Sequence, residues 1–274
     1  MPELPEVETI CRGLSGAIIG RKFIKVQNFR ENLRFPFPVN FVKNLEDRKV
    51  EAITRRAKYI LIHLDNGTTL MVHLGMSGRM VVHNALRNSR DKHDHVIFHD
   101  DMGKEIVFND PRRFGMMDIV NSSAINEHKL IKDLGLEPLL DSFNGQALHE
   151  MLKGRKVPVK LAIMNANLVV GVGNIYACES LFSSGISPLR LAGSLSLEEC
   201  NTLASEIKKV LLEAIKAGGS TLKDYVASSG EAGYFQHNFK VYGREGQPCV
   251  TCDDEIKRIV QGGRSTFYCG NCQG

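Results

Sequence analysis

The sequence has no apolar run approaching the roughly 18 residues of a membrane span, which excludes a helical membrane protein as a class. It does not open like a secretory signal either. The first ten residues, MPELPEVETI, carry two prolines and three acids where a signal carries basic and then apolar residues. A cytoplasmic chain is therefore expected. Strong charge of one sign is also missing: 35 Lys and Arg stand against 31 Asp and Glu, a net of +4. That balance is too weak for a histone-like or tail protein, yet it permits nucleic-acid binding on a local surface. No internal repeat and no low-complexity tract appear, so solenoids and disordered scaffolds drop out. At 274 residues the chain can bury two ordinary cores without disulfides or a partner copy, and a monomer is expected.

Seven cysteines are an odd number, unsuited to a full disulfide framework. Cys11, Cys178 and Cys200 are scattered and read as small buried hydrophobes. The other four crowd the last 26 residues. Cys249-x-x-Cys252 and Cys269-x-x-Cys272, sixteen residues apart, have the spacing of two thiolate knuckles closing on one tetrahedral zinc ion. Four thiolates leave no open position, so one structural Zn2+ is expected. Between the knuckles, EIKRIV and STFYC split at Gly262-Gly263 read as a hairpin.

Periodicity divides the rest. Val7, Ile10, Leu14, Ala17 and Ile18 recur at helical steps and stop before Gly20, so an amphipathic helix opens the chain. From Lys22 to about Val120 seven short runs (KFIKV, VEAIT, YILIHL, TLMVHL, HVIFH, KEIVF and MMDIV) alternate with turn formers such as Asp65-Asn66-Gly67. Seven strands at that spacing suggest a sandwich or flattened barrel. Helical stretches follow near 145–154, 159–166, 174–183, 197–217 and 222–227, with a hinge around Gly135 to Asp141. The expected class is α+β: a β-sandwich domain over 1–130, a helical domain over 131–235 and a zinc finger over 236–274.

Removal of Met1 would leave Pro2 with a free secondary amine, able to form an iminium ion with a sugar carbon. Glu3 beside it can act as a general acid or base. A Pro-Glu pair at a chain start also serves as an ordinary helix cap, and residues alone do not choose.

The motifs taken together resemble a known family. PELPEVET, RRAKYILIHL, HLGMSG, KHDHV, DPRRFG, VVGVGNIYACESLF and the Cys-terminated hairpin are similar, in order and over nearly the whole chain, to the signatures of the bacterial formamidopyrimidine-DNA glycosylases. The related endonuclease VIII enzymes share the Pro-Glu start and the hairpin but typically lack the PELPEVE and DPRRFG forms. The resemblance implies a bifunctional glycosylase and abasic-site lyase of base excision repair, acting on oxidised purines in double-stranded DNA, in a bacterial cytoplasm at the nucleoid. It implies Pro2 as the nucleophile and Glu3 as the proton donor and acceptor at the sugar. Lys58 would serve β-elimination and a phosphate, and Arg264 would serve δ-elimination. Met76, Arg112 and Phe114 would fill the void left by the extruded nucleotide, while His93, Arg155, Lys160 and Asn174 would grip phosphates. A helix–two-turns–helix motif would contain Gly171-Val172-Gly173-Asn174, and the stretches 218–221 and 228–234 would form a loop over the extruded base. Two other readings stay open: a catalytically silent damage-binding protein, and an endonuclease VIII-like enzyme for oxidised pyrimidines.

Overall fold

The computed structural model describes residues 2–220 and 235–274. The expected helix at 222–227 and loop at 228–234 lie outside the described residues. The described residues divide into two compact units, one formed by 2–132 with 217–220 and the other by 133–216 with 235–274. The division after Lys132 falls near the expected hinge. The later crossing, at 216/217, falls at the end of the helical run expected over 197–217.

The first unit opens with helix α1 (Leu4–Ile18), capped by Glu3 and buried through Leu4, Val7, Ile10, Cys11, Leu14 and Ile18. The chain turns out of it at Gly20, whose φ of +81° favours a residue without Cβ. Strand β1 (Lys22–Asn28) leads through the short helix α2 (Phe41–Leu45) to β2 (Arg48–Arg56), β3 (Tyr59–Leu64), β4 (Thr68–His73), β5 (Arg79–His83), β6 (Asp94–Asp100), β7 (Glu105–Asn109) and β8 (Met116–Asn121). All pairings are antiparallel, in the order β5-β7-β6-β1-β2-β3-β4-β8. Only two residue pairs, Lys22 with Lys49 and Phe23 with Arg48, join β1 to β2. The halves on either side, together with α1, contribute to a single apolar cluster that includes Ile10, Phe98, Phe108, Ile62 and Leu70. Among the described residues this sheet has eight strands where seven are expected. The additional one, β5, is a five-residue edge strand with only Met80 fully buried, so its apolar pattern is too short to register.

The second unit contains α3 (Gly145–Leu152), α4 (Val159–Ile163), α5 (Asn174–Ser183) and α6 (Leu197–Lys216), followed by the hairpin β9 (Ile256–Gln261) and β10 (Arg264–Cys269). Helix α5 is buried from Ile175 to Phe182, so it lies at the centre of the unit rather than on its surface. Buried Glu179 of α5 accepts the backbone N–H groups of Lys240, Val241 and Tyr242, at 2.9, 3.0 and 2.8 Å, which anchors the segment leading to the hairpin. Burial still pushes its carboxyl up from the usual range despite those three donors. Among the described residues no helix is long and apolar enough to cross a membrane.

Candidate active site and nucleic-acid interface

In the first unit, strand register gathers the expected residues at one end of the sheet. Arg56 pairs with Tyr59, Tyr59 with His73, and His73 with Met116. The β2–β3 turn, the β4–β5 loop and the β7–β8 loop therefore emerge side by side, and they carry Lys58, Met76, and Arg112 with Phe114. His93 joins them, because its carbonyl accepts from Asp110 N–H at 3.0 Å across the β6–β7 pair. Lys58 sits in a two-residue turn whose first residue, Ala57, has φ +52°.

The start of α1 is tied to that same turn. Arg55 donates from Nε to Glu8 of the helix at 2.9 Å and from Nη1 to the Ala57 carbonyl at 2.8 Å. Burial opposes the charge on Glu8, but hydrogen bonds from Arg55 and Arg12 outweigh it and hold the carboxyl below the usual range. Pro2 is buried and Glu3 is 3 % exposed. The Glu3 N–H donates to the Glu6 carboxylate at 2.8 Å. The other oxygen of Glu6 accepts from the Ser220 N–H and hydroxyl, at 2.8 and 2.9 Å. Glu6 thus clamps the first turn of the helix to the stretch that returns to this unit. Neither Glu6 nor Arg55 stands out in the sequence, since their partners lie elsewhere in the chain or on its backbone.

The two loops that carry Met76 and Phe114 touch backbone to backbone. A Cβ on Gly75, at φ +64°, would lie 2.3 Å from the Phe114 carbonyl carbon, so only glycine fits there. The Arg112 guanidinium stacks 4.9 Å from the ring centre of Phe114, which is 44 % exposed, while Met76 is half-buried. An exposed phenylalanine beside an exposed arginine at a loop tip is a poor core element and a good wedge.

His73 supports this loop by accepting the Gly75 N–H on Nδ1 at 3.0 Å. Burial, with the Lys58 and Arg34 cations nearby, lowers its pKa from 6.5 to about 4. The unfolded chain therefore takes up this proton first, and stability is lost as pH falls from 6.5 toward about 4. The largest loss is about 3 kcal/mol, at ~1.4 kcal/mol per pH interval. Urea melts between pH 7 and 5 are expected to show it, and His73→Asn is expected to flatten the dependence.

In the second unit, Lys160, Asn174 and the start of β10 form one cluster. Lys160 is 0 % exposed. Its ammonium donates to Asn174 Oδ1 (2.6 Å), Thr266 Oγ1 (2.6 Å) and the Ser265 carbonyl (3.2 Å). An ammonium has three donors, so Lys160 presents none to a ligand in this arrangement. The structure places the Lys160 ammonium as internal support between Asn174 and the start of β10. Asn174 is the first residue of α5, and its Nδ2 donates to the Ser265 carbonyl at 2.8 Å. The cluster thereby fixes the residue next to Arg264, whose side chain is exposed at the Gly262-Gly263 turn. Both glycines have positive φ, +55° and +73°, as a tight two-residue hairpin requires. Arg155 is exposed beyond the end of α3, its Nε donating to the Met151 carbonyl at 2.6 Å. Lys160→Met would take the ammonium donor from Asn174 Oδ1 and Thr266 Oγ1, leaving the Ser265 carbonyl with Asn174 Nδ2 alone, and is expected to destabilise this unit by about 2–4 kcal/mol in urea denaturation.

Cys249, Cys252, Cys269 and Cys272 place their sulfurs within 4.8 Å of one another, with Cys249 to Cys272 at 3.8 Å and Cys252 to Cys269 at 3.5 Å. A tetrahedron with Zn–S bonds of about 2.3 Å has sulfur–sulfur edges of about 3.8 Å, so the set fits zinc. Backbone N–H groups of Thr251 and Cys272 donate to Cys249 and Cys269 sulfur, each at 3.4 Å, which favours the thiolate forms. One structural zinc belongs here, and no substrate position is left open.

Comparison with known proteins covers the whole chain. Three family models match in succession: the formamidopyrimidine-DNA glycosylase N-terminal domain over residues 1–117, the formamidopyrimidine-DNA glycosylase H2TH domain over 134–226, and the zinc finger found in FPG and IleRS over 246–274. The formamidopyrimidine-DNA glycosylase of Ruegeria pomeroyi is 50 % identical, with all of both chains covered. The crystal structure of MutM (Fpg) from Thermus thermophilus is similar at a TM-score of 0.88 and 38 % identity, over 99 % of this chain and 98 % of that one. A Lactococcus lactis Fpg variant in complex with Fapy-dG-containing DNA is similar at 0.92 and 31 % identity, over 99 % of both chains.

Proposed function

The chain belongs to the formamidopyrimidine-DNA glycosylase family, and on that premise we propose that it excises oxidised purines from double-stranded DNA and then nicks the strand at the emptied site. It is a DNA glycosylase of base excision repair. The finer reading rests chiefly on one observation, the convergence of Lys58, Met76, His93, Arg112 and Phe114 at one end of the sheet, with α1 tied to the Lys58 turn through Arg55.

With Met1 removed, the Pro2 nitrogen attacks the anomeric carbon of the lesion, the glycosidic bond breaks, and the base leaves with a proton. Glu3 protonates the sugar ring oxygen as the ring opens, which yields an iminium between Pro2 and the sugar. Loss of a proton from the adjacent carbon expels the 3′ phosphate, with Lys58 assisting. A second elimination, assisted by Arg264, expels the 5′ phosphate, and water then releases Pro2. Both eliminations need the cationic nitrogen as an electron sink, which a secondary amine supplies without a further protonation.

Extruding the nucleotide costs a few kcal/mol unless something fills its place. Met76 and Phe114 enter the stack, and Arg112 faces the orphaned base. His93 and Lys58 on the first unit, with Asn174, Arg155 and Arg264 on the second, grip phosphates. Lys160 supports Asn174 and the Arg264 turn. The zinc holds the two ends of the hairpin, so its part is structural.

Cleavage of a panel of duplexes tests the reading. Duplexes with 8-oxoguanine or formamidopyrimidines are expected to be cut to a one-nucleotide gap with phosphate on both ends. Preference for oxidised pyrimidines would move the enzyme to the endonuclease VIII branch. Binding without cleavage, by protein lacking Met1 and holding zinc, would identify a silent damage-binding protein.

A further inference from the structure

The two loops that bear the wedge are joined through a buried polar node that the chemistry does not use. Asp110 is 0 % exposed and Ser77 is 5 % exposed. The Ser77 hydroxyl donates to Asp110 Oδ1 at 2.6 Å and accepts the Arg112 N–H at 3.1 Å. Asp110 Oδ2 accepts the Gly115 N–H at 2.8 Å, and the Asp110 N–H donates to the His93 carbonyl at 3.0 Å. The remaining polar atom, the Asp110 carbonyl oxygen, accepts from His95 Nε2 at 2.8 Å. The tautomer follows, because His95 Nδ1 accepts from Arg30 Nε at 3.2 Å. Every polar atom of Asp110 is thus engaged, and its partners bracket Arg112 and Phe114 on one loop and follow Met76 on the other.

A pair of free loop tips would have to be ordered each time they entered the base stack, and that entropy would come out of the binding free energy. Loops already locked together enter as one body. We propose that Asp110 and Ser77 are positioning residues that hold Met76, Arg112 and Phe114 as a single rigid wedge, so that their contribution falls on nucleotide extrusion and not on bond breaking. The inference rests on the glycosylase reading above. Neither residue touches the sugar in this scheme, and neither is needed for the steps at Pro2.

The test compares two substrates in the same duplex sequence: one with 8-oxoguanine opposite cytosine, the other with a preformed abasic site, where no base has to leave the stack. Ser77→Ala and Asp110→Asn are each expected to slow 8-oxoguanine excision about 10- to 50-fold, while abasic-site cleavage stays within about 2-fold of the parent. A 2-aminopurine beside the lesion is expected to brighten more slowly on mixing with either variant, because its fluorescence reports stack opening. Abasic cleavage also shows that each variant is folded. Should Asp110→Asn fold poorly, Ser77→Ala carries the comparison, since it removes one hydroxyl and leaves Asp110 holding Gly115. Equal loss on both substrates, or full excision with unaltered fluorescence kinetics, would overturn the proposal. A parent protein inactive on both substrates would instead remove the glycosylase reading itself.

Discussion

Glu3→Gln is expected to lower both base excision and strand cleavage by about 100- to 10,000-fold, the range for loss of a positioned general acid–base group. The amide has the shape of the carboxyl, and the Glu3 N–H can still donate to Glu6, so the first turn of α1 should persist. The contrast with a purely structural role is large. If Glu3 were only the cap of α1, its replacement would cost about 1 kcal/mol of stability and leave chemistry nearly intact. Single-turnover excision at saturating enzyme, with a thermal melt of each protein, separates the two cases. Activity within about threefold of the parent would reduce Glu3 to a cap.

Removal of zinc is expected to have an effect of similar size by a different route. Apparent binding free energies of structural zinc in small fingers are about 10–16 kcal/mol, so the hairpin depends on the ion for its fold. Stripping it, or replacing Cys252 with Ala, should unfold β9 and β10. Arg264 would lose its turn, and the Lys160 ammonium would lose two of its three acceptors, Ser265 and Thr266. Cleavage is expected to fall at least 100-fold, whereas the first unit has its own core and should retain its melting transition. Calorimetry alongside a zinc assay checks both parts. A metal-free protein with full activity and an unchanged hairpin would show that the four cysteines are dispensable.

What could be read in advance was local. The α1 spacing, the Asp65-Asn66-Gly67 turn, the run expected over 197–217 and found as Leu197–Lys216, and the two cysteine knuckles each repeat a short-range pattern, and each lies where that pattern puts it. Contacts between residues far apart in the sequence were not legible. Ser77 and Asp110 are 33 positions apart, Glu8 and Arg55 are 47 apart, and Glu6 and Ser220 are 214 apart. No periodicity encodes such pairs. Lys160 shows the same limit from the other side: no local pattern marks its ammonium as buried, and only packing against Asn174 and β10 shows it. The Pro2-Glu3 pair has both of its readings at once, since Glu3 does cap a helix, and its chemical meaning came from the family resemblance.

The central claim is that Pro2 is the nucleophile. Borohydride reduction during turnover on an 8-oxoguanine duplex, followed by peptide mass mapping, tests it most directly. A single stable DNA adduct is expected on the Pro2 nitrogen, and none in protein that retains Met1, where that nitrogen is an amide. An adduct on a lysine, or full activity in protein shown by mass to keep Met1, would contradict it.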